Sequence, residues 1–434
     1  MSVPLDRLYH YLEGLCSEDI LIYRWLPHGS KKLEDLKLVE YDTQKFNWIK
    51  LMTMPRMICH DQEPLNYNFY TKQDFFDRLC TNVTAVGKPF PWMRSTEFLD
   101  RLAGSHLRAV ILPPVYFMDY TILCHSEKNS KELELYENNN FVGVYYWSHA
   151  LIAKDWFRYA EHDAKVIPNF FSVKTDFLIY NRAWSGTREY RLKFVELLIN
   201  NQLLQHSNIK FSPVDTGQHY TNHVFANPKF QITQNNIENI VPLNTANSNA
   251  SGDYDADDYQ TSAIEVVLET LFDDQRQHLT EKTLRPIACG RPFILVAPPG
   301  CLDYLKSYGF KTFDGLIDES YDQIQDPLQR LNAIVEELKR LSALDRVSKN
   351  NLWNELYKIS YYNHKHFFSQ AFDDTVISEF VENFNAALQK CKNNMHGKWW
   401  HQGLDPNIVD CLEDDHTGFY YTEADKWFKK YNKT

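Results

Sequence analysis

The sequence predicts an α/β fold: two successive blocks, each built on a largely parallel sheet, then a C-terminal helix and tail. Three observations point that way. Short runs rich in β-branched or aromatic residues recur along the chain and end in polar loops. Stretches of helical periodicity fall between some of them, and alternation of the two periods marks parallel strands joined by helices. The chain has 434 residues, which at roughly 100–200 residues per domain allows two to four domains.

In the first block, 1–165, four runs have strand length. Residues 55–59 (PRMIC) lead into HDQEP, 107–112 (LRAVIL) into PPVY, 120–124 (YTILC) into HSEKNS and 141–147 (FVGVYYW) into SHA. Residues 73–80 and 95–103 read as helices. Pro168-Asn169 breaks the connecting stretch 164–176. The second block, 175–365, opens with the strand 177–180 (FLIY) and the loop NRAWSGT. A helix over 188–204 follows, with Leu192, Val195, Leu198 and Ile199 on one face. Residues 244–259 are polar and acidic. Their D-x-D spacings are of the kind that can hold a divalent cation, but the Asn/Ser/Gly-rich surroundings predict an exposed, solvated loop. Residues 262–271 (SAIEVVLETL) read as a strand. Thr280 can cap a helix that Gly290 ends, and Pro292 then opens the strand FILVA. A helix CLDYLKSY, a short strand FKTF (310–313) and an amphipathic helix over 327–341 come next, then a helix over 367–390. Residues 366–434 form the C-terminal helix and tail, expected to pack back on the body, with Trp399 and Trp400 packing the tail.

Charge and cysteine usage bound the function classes. The net charge is −11 and no Lys/Arg block stands out, which disfavours a nucleic-acid partner without removing a local basic surface. None of the eight cysteines forms a CxxC pair, so no zinc or redox motif is expected. The N-terminal MSVPLDRLYHYLEG lacks the apolar core of a signal peptide. No run approaches the ~18 apolar residues of a membrane helix. A cytoplasmic protein without a membrane span is expected.

Ligands of open parallel sheets gather beyond the carboxyl ends of the strands, so the loops there hold the candidate residues. Thr280, Glu281 and Lys282 sit at a helix start, where backbone N–H groups lack helical partners and can receive phosphate oxygens. Lys282 adds a cation, and the Glu281 carboxylate suits the two hydroxyls of a ribose. A capped surface helix is the plain alternative. In the first block, HDQEP carries His60, Asp61 and Glu63, HSEKNS carries His125 and Glu127, and SHA carries His149. Their plain alternatives are a loop stapled by side-chain hydrogen bonds and structural histidines.

The stretch 259–322, from YQTSAIEVVLET through LTEKTLRPIACGRPFILVAPPG to DESYD, resembles the donor-binding region of the exostosin-like and α-1,3-fucosyltransferase-like GT-B glycosyltransferases. Those families carry an (S/T)-E-K motif, then a small residue with G-x-P, then an apolar strand. Phage and bacterial variants continue with GFxTF and DESYD. DFLIYNRAWSGTREYR (176–191) resembles the first strand and loop of the same donor domain, and the 55–70 loop matches more weakly. The resemblance implies two Rossmann-like domains facing a cleft, with 1–165 taking the acceptor and 175–365 the nucleotide-sugar.

It further implies an enzyme of EC class 2.4 that inverts, with no metal and no cofactor beyond the nucleotide-sugar co-substrate. Glu281 would contact the donor ribose, Lys282 the diphosphate, and Glu269 would line the pocket. Arg188 is the first candidate for the donor phosphates, with Arg182, Asn181 and Arg191 behind it. Glu63, before a Pro and an Asn, would be the base, with Asp61 the alternative and Glu127 the next. His60, His125, Glu127 and His149 fall on the acceptor side. The acceptor would be a glycan or another hydroxyl-bearing molecule. A modified DNA base is one alternative, in host cytoplasm if the chain is phage-encoded. A non-catalytic sugar- or nucleotide-binding protein of the same fold is the other.

Overall fold

In a computed structural model of the chain, the described residues are 20–23, 49–52, 121–125, 127–130, 142–162, 173–240 and 251–397. They are mixed α/β and hold two four-stranded parallel sheets. Packing divides them into two units, one containing 20–23, 49–52, 121–152 and 376–397, the other 153–375. The strands expected at 55–59 and 107–112, the helices at 73–80 and 95–103, and the tail beyond 397 lie outside the described residues.

The first unit's sheet runs β1 (Ile20–Tyr23), β2 (Ile49–Met52), β3 (Thr121–His125), β4 (Val142–Tyr145), in that spatial order. Helix α1 (Ser148–Trp156) follows β4. Among the described residues, this unit's other helix is the later part of α9, introduced below. Val376, Phe380, Phe384 and Ala387 fall on one face at i, i+4, i+8 and i+11 and are all buried. Phe380 meets the Tyr146 ring edge-on at 4.8 Å, and Asn383 Nδ2 donates to the Tyr145 carbonyl at 2.8 Å.

The second unit's sheet has the order β10-β9-β5-β6, with β5 (Thr175–Asn181), β6 (Ser207–Phe211), β9 (Ser262–Leu268) and β10 (Phe293–Val296). Strands β5 and β9 are central, and all seven residues of β9 are buried. Both faces of a central parallel strand are covered, so it reads as a nearly unbroken apolar run. Beyond Ser262 at its start, the exception is Glu265. Its carboxylate pairs with the buried Arg285 guanidinium and accepts the Tyr259 hydroxyl at 2.5 Å. Strand β6 is an edge strand with only Ile209 and Phe211 turned inward, and its polar SNIKF gives no sequence signal. A small antiparallel hairpin, β7 (Val214–Asp215) and β8 (Gln218–His219), follows it.

The helices are α2 (Tyr190–Asn200), α3 (Ile237–Ile240), α4 (Ala256–Thr261), α5 (Glu281–Ala288), α6 (Cys301–Ser307), α7 (Pro327–Ser342), α8 (Arg346–Phe367) and α9 (Gln370–Gly397). The expected 188–204 helix is the shorter α2, preceded by a 3-10 turn over Gly186–Arg188. Helix α5 starts at the Thr280 cap and ends before Gly290, whose φ of 61° is the left-handed conformation that glycine tolerates. Asp326 caps α7 through Gln329 N at 2.9 Å with Pro327 at the first position, and Leu331, Ile334, Val335, Leu338 and Leu341 are buried.

Two expectations are corrected. Residues 251–259 are packed, not a solvated loop: Asp255 caps α4, while Asp258 and Tyr259 are buried. FKTF is not a strand. Its backbone is paired by the Asn363 side chain of α8, which donates to the Lys311 carbonyl and accepts from the Lys311 amide, both at 2.8 Å.

Candidate active site at the carboxyl ends of the second sheet

Strands β5, β9 and β10 run parallel, so their following loops emerge at one edge. Helix α5 begins there, and its first amides need acceptors. Glu269, just past β9, supplies them. One carboxylate oxygen accepts from Thr280 N (2.9 Å), Thr283 N (3.2 Å) and Thr283 Oγ1 (2.5 Å), and the other from Thr270 N (3.0 Å) and Thr280 Oγ1 (2.8 Å). Glu269 is 0 % exposed. The residue expected to line the pocket is thus an internal helix cap, and two of the amides expected to be open at this helix start are closed by it.

Lys282, in the first turn of α5, is nearly buried. Its Nζ donates to Thr270 Oγ1 (3.1 Å), Thr280 Oγ1 (3.2 Å) and Glu281 Oε1 (2.8 Å). Burial lowers its pKa, against the attraction of Glu281 and Glu269. The same Glu281 oxygen also accepts the Ser251 hydroxyl.

The loop after β5 reaches the same place: Thr187 Oγ1 donates to the Thr270 carbonyl at 3.0 Å. Thr270 therefore touches both Lys282 and the loop that carries Arg188. The Arg188 Nε donates back to Ser185 O at 3.1 Å, and the side chain is partly exposed.

The other arginines of this edge have tasks within the fold. Arg191 is buried and staples three carbonyls, donating to Ala183 O (2.7 Å), Leu268 O (2.7 Å) and Glu269 O (2.9 Å). Asn181 is buried, and its Nδ2 donates to Arg191 O at 3.1 Å. Arg182 stacks over the Tyr180 ring, 4.6 Å from its centroid, and donates to Asp253 O at 2.9 Å. Buried Asp258 takes the Tyr180 hydroxyl at 3.0 Å, Asn208 Nδ2 at 2.9 Å and Lys210 Nζ at 2.9 Å. The acidic segment with D-x-D spacing thus serves packing. Among the described residues, no group of three His, Cys, Asp or Glu is placed to hold a metal ion.

Thr187 and Thr270 of this edge lie inside the matched stretches without being singled out there, and Asp215 and Ser251 have no motif that would flag them. Asp215 comes from the β7–β8 hairpin. One of its oxygens accepts from Trp184 N (2.8 Å), Ser185 N (2.7 Å) and Ser185 Oγ (2.6 Å) in the loop after β5. Burial alone would raise its pKa; the hydrogen bonds from Ser185 and Trp184 and the charge of Arg188 outweigh that and leave it lowered.

In the first unit, Glu127 and His149 are buried, and His125 is the last residue of β3. His60, Asp61 and Glu63 lie outside the described residues. No helix among the described residues is long and apolar enough to cross a membrane. No protein-family model, curated protein or solved structure matches the chain.

Proposed function

We propose that the chain is a GT-B glycosyltransferase that takes its sugar from a nucleotide-sugar, inverting and metal-independent, in the cytoplasm. Lys282 and Arg188 receive the donor diphosphate, and Glu281 receives the ribose hydroxyls once its contact with Lys282 is exchanged. Glu63 takes the acceptor hydroxyl proton as the new glycosidic bond forms. The bond from the sugar to the diphosphate breaks, and the leaving charge falls on the two cations.

The observation that carries this reading is the shared contact at Thr270. It brings a nearly buried lysine and the arginine-bearing loop after β5 to one edge of a parallel sheet, where ligands of such sheets gather. The resemblance over 176–191 and 259–322 supplies the substrate class. The net charge of −11 favours a glycan or small hydroxyl-bearing acceptor over DNA.

A thermal-shift screen with nucleoside diphosphates and their sugars, with and without chelator, tests the proposal. One nucleobase series is expected to raise Tm, and Lys282→Ala to abolish the shift. Strict dependence of sugar transfer on manganese would end the mechanism as written. The competing reading is a non-catalytic nucleotide-sugar binder, favoured by the fact that Lys282 is already paired with Glu281. Glu63→Gln separates the two: transfer that survives this change removes the base, and binding without any transfer in the wild type selects the binder.

A further inference from the structure

We propose that Asp215 is a resident counter-ion of the loop after β5, held where a phosphoryl oxygen is received and moved aside on its hairpin when an oxyanion binds. The inference rests on the donor-site reading above for the identity of its ligand, a nucleoside diphosphate, but its geometry is independent of that reading. Three donors, Trp184 N, Ser185 N and Ser185 Oγ, converge at 2.6–2.8 Å on a single carboxylate oxygen. Two successive backbone amides and a hydroxyl aimed at one anionic oxygen are donors that a phosphoryl oxygen can equally accept from. The loop continues through Thr187, whose hydroxyl reaches Thr270, the partner of Lys282. An anion that replaces Asp215 therefore sits on the loop that also meets the lysine's surroundings.

The carrier of Asp215 suits displacement. Its hairpin pairs only two residues on each strand. Thr216 and Gly217 at the tip both have positive φ, and a Cβ added at Gly217 would meet nothing within 4 Å among the described residues. Val214 is 47 % exposed. The base is fixed by the buried Phe211 and Tyr220 and by Tyr220 N donating to Pro213 O at 3.0 Å. So short a hairpin adds little stability of its own, and the tip can turn on an anchored base. Glu269 lacks this freedom, being 0 % exposed at the end of a central strand.

The test is calorimetric titration of the full chain with inorganic pyrophosphate, in the wild type, Asp215→Asn and Asp215→Ala. Asparagine keeps the acceptor and the shape while removing the charge, so it answers the question even if the alanine variant folds poorly. Removing the competing charge is expected to tighten pyrophosphate binding roughly tenfold or more, the scale of one charge-assisted hydrogen bond. Equal or weaker binding in Asp215→Asn overturns the proposal. A parallel titration with nucleoside diphosphates separates the two readings. Tighter pyrophosphate binding in Asp215→Asn, in a chain that ignores every nucleoside diphosphate, keeps the counter-ion and removes the donor site. Nucleoside diphosphate binding by the wild type with no gain for pyrophosphate in Asp215→Asn keeps the donor site and removes the counter-ion.

Discussion

Two carboxylates close two sets of backbone donors at the same edge of the second sheet, and their surroundings separate them. Glu269 takes five hydrogen bonds at the start of α5, inside the core, from residues no more than 14 positions away. Asp215 takes three in the loop after β5, from the rim, on a hairpin about 30 positions along the chain. The local chemistry is alike, an anion meeting amides and a hydroxyl. Burial makes the first a part of the fold, because removing it strands donors that water cannot reach. The second is partly exposed, as is Ser185, so water can take over the Ser185 donors, while Trp184 is buried.

The largest effect that bears on this contrast is expected from Glu269→Ala. It leaves two threonine hydroxyls and the amides of Thr270 and Thr280 without their acceptor in a dry site, while Thr283 N keeps the Thr280 carbonyl, a loss of about 3–5 kcal/mol on the scale of broken buried charge networks. Urea unfolding measures it, and a loss under about 1 kcal/mol would show that the cap is dispensable. Thr280→Ala removes the side-chain cap on Lys282 N and one bond to Glu269, with an expected cost of about 1–2 kcal/mol in the same assay. Asp215→Ala is expected to cost less than Glu269→Ala, about 1–2 kcal/mol, since the Ser185 donors turn to solvent and only the Trp184 amide is left buried.

Acid sharpens the contrast further. The folded-state pKa of Asp215 is lowered, so its contribution is fully present above the ordinary aspartate value near 4. It disappears as pH falls through the lower folded value. Asp215→Asn should therefore flatten part of the acid loss of stability. Asp322 has the opposite sign. Burial raises it to about 6, against the bonds it accepts from Leu302 N and Cys301 N. The folded state then binds the extra proton, and this group's contribution falls as pH rises from about 4 to 6. Asp322→Asn should remove that decline, and stability curves between pH 3 and 7 distinguish the two slopes.

Much of the second unit was legible because its signals are local. The buried runs of β5, β9 and β10, the Thr280 cap, the Gly290 stop and the apolar stripe of α7 all follow from short-range sterics and burial. Helix α8 was not read, because its inward face mixes Trp353, Leu356 and Phe367 with Ser360, Asn363 and His364. Those polar side chains bond to the Leu356, Lys311 and Ala288 carbonyls, partners that no periodicity reveals. At the candidate site, Lys282 and Glu281 were legible as neighbours at a helix start. Asp215 and Ser251 were not, because each meets its partners only through tertiary folding. The same holds for Arg191 and Asn181, where residue type alone does not tell a ligand-facing cation or amide from one that ties carbonyls together.

The bond pair between Asn363 and Lys311 has a consequence for how the chain behaves among its own copies. Phe310–Phe313 reads FKTF, with both phenylalanines and Thr312 buried, and Phe313 packs edge-on against Phe293 of β10, at one margin of the sheet. At the margin of a sheet, peptide groups left idle are the ones another strand can pair with. One amide side chain, presented from a helix, satisfies the peptide groups of Lys311 and leaves that residue nothing to offer a newcomer. Helix α8 thereby takes the place of a neighbouring strand for Lys311, through a contact that involves a single residue of each partner.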